Sequence, residues 1–191
     1  MKQSTKIILV VLGVLVVGAL MAFNWYKSTY DELIRHDQNV KSAWSQVENQ
    51  LQRRFDLIPN LVNTVKGYAA HESGVLIAVT EARSRVGSAK TVGDKMSANN
   101  EFSSAISRLL VVAENYPQLK ANENFLSLQA QLEGTENRIS VERRSYNEAV
   151  KMYNVAIRGF FKRFVATSLG YTERTFFEAA AGASAAPQVQ F

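Results

Sequence analysis

The sequence predicts an all-α protein: an N-terminal transmembrane helix leading into an elongated antiparallel, up-and-down bundle of three long helices, the first kinked at Pro59. Three observations predict it. An unbroken apolar run fills residues 7–23, apolar residues then recur at alternating steps of three and four, and no strand-like alternation competes. The 191 residues leave enough length for one domain once the apolar run is set aside. The expected divisions are a short tail at 1–6, a transmembrane helix at 7–26, a bundle at 27–170 and a C-terminal segment at 171–191.

The apolar run is about 17 residues, or roughly 25 Å of helix, just long enough to span a bilayer. Lys2 and Lys6 precede it, and Trp25, Tyr26 and Lys27 follow it, where interfacial aromatics and charges belong. A cleaved signal peptide would use the small residues Val17, Gly18 and Ala19. The run continues past that point, so an uncleaved single-pass anchor in the inner membrane is expected. Lys2 and Lys6 against Lys27 and Arg35 give a nearly balanced basic bias, and the C-terminal domain is expected outside the cytoplasm.

Beyond the anchor, one narrow stripe joins Tyr30, Leu33, Val40, Trp44, Val47, Leu51, Ile58, Leu61, Val65, Tyr68, Val75, Val79, Ala82 and Val86. Asp37, Arg54 and Glu72 fill the remaining slots. Such a stripe packs into a bundle or coiled coil, here over about 57 residues, on the order of 85 Å if straight. An interior proline lacks the N–H that would satisfy the carbonyl of Phe55. Asp56 could instead cap a new helix with Pro59 in its first turn. The stripe keeps its phase across Pro59, and no glycine or turn cluster lies between Gln52 and Asn60, so a kinked but continuous helix is expected. Arg54 and Glu72 are then either buried in pairs or snorkelling to the rim.

Residues 87–98, GSAKTVGDKMSA, read as a loop. Asn99 or Asn100 is expected to cap a second helix carrying Phe102, Ile106, Leu109, Ala113 and Tyr116, ended by Pro117. A third, capped by Asn122, is expected to run to about Val165 through Phe125, Leu128, Leu132, Ile139, Tyr146, Ala149, Tyr153, Ala156, Phe160 and Phe164, and Gly170 stops it. An arginine of the 53–54 pair is expected to meet Glu142 across the bundle. Tyr146–Asn147 and Tyr153–Asn154 repeat seven residues apart, which suits aromatic packing with amide hydrogen bonds across the seam.

Chemistry-bearing motifs are sparse. Lys and Arg total 22 against 17 Asp and Glu, scattered along the chain, which argues for solvated helix faces and against a nucleic-acid partner. With no cysteine and two histidines, His36 and His71, no cofactor or metal is expected. HESGV places Val75 where a zinc helix needs its second histidine, and Ser73 and Ser84 have no positioned base. The expectation is a non-enzymatic scaffold or adaptor with no catalytic residue, partnered by the lipid bilayer and by copies of itself or other membrane proteins. The alternative is a membrane-associated sensor or hydrolase with a cleft near Arg53, Asp56, His71, Glu142 and Tyr146.

The stretch RRFDLIPNLVNTVKGYAAHE at 53–72, the run Glu142-Arg143-Arg144 before the Tyr–Asn pairs, the short anchor and the closing PQVQF together resemble the LemA family of bacterial membrane proteins. That resemblance implies a single-pass protein with a helical bundle and no established catalytic activity. Its relatives include a magnetosome-membrane protein, which implies membrane organisation as one use of the fold. Within 53–72 the expected structural joint comprises Arg53, Arg54, Asp56, Pro59, Asn60 and Glu72, with Glu142, Tyr146 and Asn147 as polar seam residues. The family's closing pattern implies that Pro187, Val189 and Phe191 dock on a bundle, where composition alone reads the tail as disordered. Relatives often carry a proline-containing turn after the third helix, and GFFKRFVATSLG has none.

Overall fold

A computed structural model describes residues 3–177, apart from the side chains of residues 4 and 5. The described residues form six helices: α1 (Gln3–Tyr68), α2 (Ser73–Ser88), α3 (Val92–Ala113), α4 (Pro117–Lys120), α5 (Glu123–Arg158) and α6 (Lys162–Ser168). Contacts divide the chain into two compact units, Met1–Ser42 with Glu148–Arg174, and Ala43–Asn147 with Thr175–Phe191. The tail residues Pro187, Val189 and Phe191 lie outside the described residues.

The first unit contains the start of α1, the end of α5 and all of α6. Among the described residues α1 is the one helix long and apolar enough to cross a membrane; its best window has a mean hydropathy of 2.7 and none of it is buried. A core helix of a soluble domain would bury that window, so this end of α1 is a candidate membrane anchor. Farther along, Leu33 and Val40 of α1, Val150, Tyr153 and Ile157 of α5, and Val165 of α6 are buried. Asp37 is buried too, and it accepts from Arg174 at 2.8 Å and pairs with Lys41 at 2.8 Å.

The expected third helix stops early. α5 ends at Arg158, and Gly159 carries the turn into α6 without any proline. A Cβ on Gly159 would sit 3.4 Å from both the Ala156 carbonyl oxygen and the Lys162 Cβ, so the turn is tight there. Phe160 and Phe164 consequently leave the stripe and are exposed. Gly170 does stop α6, as expected. It adopts φ +68, and Gly170 and Tyr171 donate to the carbonyls of Thr167 and Ala166, the paired bonds that close a helix on a left-handed residue.

The second unit is an up-down-up-down arrangement of α1, α2, α3 and α5. α1 continues through Pro59, as its unbroken phase predicted, and ends at Tyr68. The continuation of that helix to Val86 is corrected, because the chain reverses over 69–72 and α2 returns alongside α1. Arg83 of α2 stacks on Phe55 of α1, 3.9 Å from the ring centroid. The reversal lets Leu76, Val79 and Ala82 join Ile58, Leu61, Val65 and Ala69 in one core with Phe102, Ile106, Leu109, Phe125 and Leu132. A straight continuation would have carried three buried apolar side chains away from that core, at about 1.5–3 kcal/mol for each large one.

The loop expected at 87–98 contracts to 89–91. Thr91 and Asp94 form a capping box, the Asp94 amide donating to the Thr91 hydroxyl at 3.1 Å and the Thr91 amide to the Asp94 carboxylate at 3.3 Å. Asn99 is therefore interior to α3, not its cap. Asn122 does cap α5, accepting from the Phe125 amide at 3.0 Å. Pro117 opens α4 instead of directly ending α3, which stops at Ala113.

Candidate functional site

α1 and α5 present heptad stripes to each other in the second unit. Trp44 packs edge-on to Tyr146 at 5.4 Å, Arg54 pairs with Glu136 at 2.6 Å, and Asn122 donates to the Tyr68 hydroxyl at 3.0 Å. From Trp44 to Arg54 is ten residues, as is Tyr146 to Glu136; from Arg54 to Tyr68 is fourteen, as is Glu136 to Asn122. One antiparallel register therefore holds on both sides of Pro59. The proline itself is only half-buried, beside the fully packed Ile58 and outside the row of seam positions.

The centre of that register is a polar knot. Arg54 is 3% exposed, which selects burial over snorkelling. Its Nη1 donates to Glu136 Oε2 at 2.6 Å and to Ser103 Oγ at 2.8 Å, and its Nη2 donates to Asn99 Oδ1 at 3.0 Å. Asn99 is held in turn by its own amide, which donates to the Lys95 carbonyl at 2.8 Å. Three helices thus meet on one guanidinium. Burial pushes the Arg54 pKa below its ordinary value while Glu136 acts against that shift. Arg143 lies over the Phe177 ring at 3.6 Å and donates to Asn100 Oδ1 at 2.6 Å; burial lowers its pKa as well.

The expected partner of Arg54, Glu142, is corrected to Glu136, six residues earlier on α5. The Trp44–Tyr146 contact sets the register, and ten residues along α1 bring Arg54 opposite Glu136, not Glu142. Glu142 is half-buried one position off the seam. Glu72 is also half-buried and accepts from the Tyr116 hydroxyl at 3.1 Å. Arg53, Asp56, Asn60 and His71 are exposed, and Asp56 accepts from Gln52 at 2.8 Å. Asp56 and the turn at His71 are separated by roughly 20 Å of helix, so the candidate cleft residues are not gathered.

The Tyr–Asn repeat does something other than bridge helices. In the second unit the Tyr146 hydroxyl donates to the Thr175 carbonyl at 3.1 Å; the Asn147 amide donates to the Phe177 carbonyl at 3.0 Å and accepts from the Phe177 N–H at 2.7 Å. In the first unit the Tyr153 hydroxyl donates to the Thr172 carbonyl at 3.1 Å, and Asn154 makes the same two-way contact with Arg174, both at 2.9 Å. Each carboxamide presents one donor and one acceptor, the pattern that an adjacent strand would offer. Seven residues of helix rise about 10.5 Å and three extended residues span about 10 Å, so a heptad of Tyr–Asn matches a three-residue shift along the segment.

Glu136, Asn99, Ser103, Asn154 and Arg174 were not singled out from sequence. Glu136 and Arg143 do share a heptad position with Val150 and Ile157, which would have marked them as seam residues.

Together these features define a class: an all-helical chain with one candidate N-terminal membrane helix and a C-terminal segment clipped to its last long helix. The chain matches the LemA family over residues 43–191 and belongs to it. It is 26% identical over 196 residues to "Magnetosome protein MamQ 2" of Paramagnetospirillum magneticum, covering 89% of this chain and 71% of that protein. "Magnetosome protein MamQ" of Magnetospirillum gryphiswaldense is 25% identical, with 83% and 65% covered. "Protein LemA" of Metamycoplasma hominis is 26% identical, with 81% and 71% covered.

Two outcomes test these contacts. In a double-mutant cycle, Arg54→Met and Glu136→Gln couple by about 1–3 kcal/mol in denaturant unfolding, whereas Arg54→Met and Glu142→Gln add within about 0.5 kcal/mol. By amide hydrogen exchange, Asn147→Ala speeds exchange at Phe177 about tenfold or more and leaves Arg174 slow, and Asn154→Ala does the reverse, since each removes two hydrogen bonds.

Proposed function

We propose that this protein is a non-enzymatic, single-pass scaffold or adaptor of the inner membrane. Its helical region lies outside the cytoplasm and binds copies of itself or other membrane proteins, serving membrane organisation. The observation that carries this reading is α1: one helix bears both the apolar, unburied anchor segment and the heptad seam, with no intervening loop. The polar seam residues support it, because Arg54, Glu136, Asn99, Tyr146 and Asn147 are engaged in holding helices and the C-terminal segment together. The relatives named as magnetosome proteins support a role at a membrane.

Native mass spectrometry and lysine crosslinking of the full chain in mild detergent check this reading. Dimers, larger assemblies or a reproducible co-purifying membrane protein are expected. A strictly monomeric particle with no partner contradicts the scaffold role.

A further inference from the structure

The end of α5 and the start of α6 are built the wrong way round for water. Val165 and Ala166 are buried, while the larger and more apolar Phe160, Phe161 and Phe164 are 78%, 64% and 73% exposed. Three exposed phenylalanines within five residues form a patch of the kind that marks a contact surface. Its position identifies what covers it. Phe161 packs edge-on to Trp25 of α1 with ring centroids 6.2 Å apart, and Phe160 packs edge-on to Phe161 at 4.9 Å. Trp25 stands two residues beyond the apolar run, at the level where interfacial aromatics sit, so Phe161 shares that level.

The charges around the patch agree with this placement. Lys162 grips both carboxylate oxygens of Glu32, at 2.6 and 2.7 Å. Glu32 lies seven residues past Trp25, about 10 Å farther from the apolar run. The corner is thus tied on its far side and leaves its rings on the near side. Phe160 and Phe164 also wall a cleft of about 630 Å³ with Arg158 and Arg163, which places basic groups beside apolar ones. Rings at the acyl boundary with arginines among headgroups is the arrangement of an interfacial membrane contact.

We propose that this corner, residues 158–168, enters the interface of the same bilayer that α1 crosses, with Phe160, Phe161 and Phe164 as its lipid-facing side chains. The proposal rests on α1 being a membrane anchor. It gives the protein a second membrane contact, reached late in the chain, which fixes how the end of α5 meets the lipid surface.

The chain has no cysteine, so single labels are unambiguous. The full-length variants Phe160→Cys and Phe164→Cys, each carrying a small polarity-sensitive fluorophore, are reconstituted in phosphatidylcholine–phosphatidylglycerol vesicles. Gly13→Cys in the apolar run and Ser107→Cys on the exposed face of α3 serve as references. Labels at 160 and 164 are expected to be quenched several-fold more by shallow spin-labelled lipid than the label at 107, and to resist aqueous iodide. If they respond to iodide as position 107 does while position 13 is quenched by lipid, the corner faces water and the proposal falls with the anchor intact. Shielding of 160 and 164 from both quenchers means that protein covers the patch, and the proposal falls in favour of a second copy. A label at 13 that lipid cannot reach overturns the anchor, and this proposal with it.

Discussion

A guanidinium with almost no access to water has to be matched by acceptors, and the acceptors of Arg54 come from two other helices. Glu136 lies on α5, and Asn99 and Ser103 lie on α3. Sliding α5 by one heptad would move Glu136 about 10 Å away and leave a buried charge unpaired, a loss several times larger than any single apolar contact it might gain. An apolar seam alone is tolerant of such slippage, because one heptad of leucine and valine resembles the next. The knot removes that degeneracy, in the way that isolated polar groups fix register in coiled coils.

Once the register is set, other features follow from it. Pro59 is tolerated because it falls beside the seam, where the carbonyl of Phe55 loses its usual donor without displacing a packed side chain. Trp44 is brought onto Tyr146, and Tyr146 then reaches the Thr175 carbonyl with its hydroxyl. The same helix face offers Asn147 to Phe177, whose ring in turn lies beneath Arg143. The C-terminal segment is therefore held by side chains that imitate a neighbouring strand, an economical way for an all-helical chain to bind extended backbone.

Much of this was legible in the sequence, for reasons that can be traced to particular residues. The buried seam of α1 follows the steps of three and four read from Leu33 to Val65, and Asn122 announces the start of α5. The reversal over 69–72 was not legible, because AAHE contains neither glycine nor proline and a short turn can preserve helical phase. Phase argues for continuity only where no tertiary alternative exists, and here α2 gains a core by turning back. The Thr91–Asp94 box was hidden inside a stretch that looked loop-like for its glycines. The exchange of Glu142 for Glu136 required the register, which depends on distant contacts. The role of the Tyr–Asn pairs was half legible: their spacing marked one helix face, but only the segment at 171–177 shows what they hold.

Register is the claim on which the rest depends, and paired cysteines measure it directly in a chain that has none of its own. Carrying the Trp44–Tyr146 spacing forward puts Ile58 opposite Leu132, both buried in one core. In lipid-reconstituted full-length protein, mild oxidation should close a disulfide between Ile58→Cys and Leu132→Cys. It should leave Ile58→Cys and Ile139→Cys unlinked, since one heptad displaces them by about 10 Å, beyond disulfide reach. Efficient linkage of the second pair in place of the first would contradict the account.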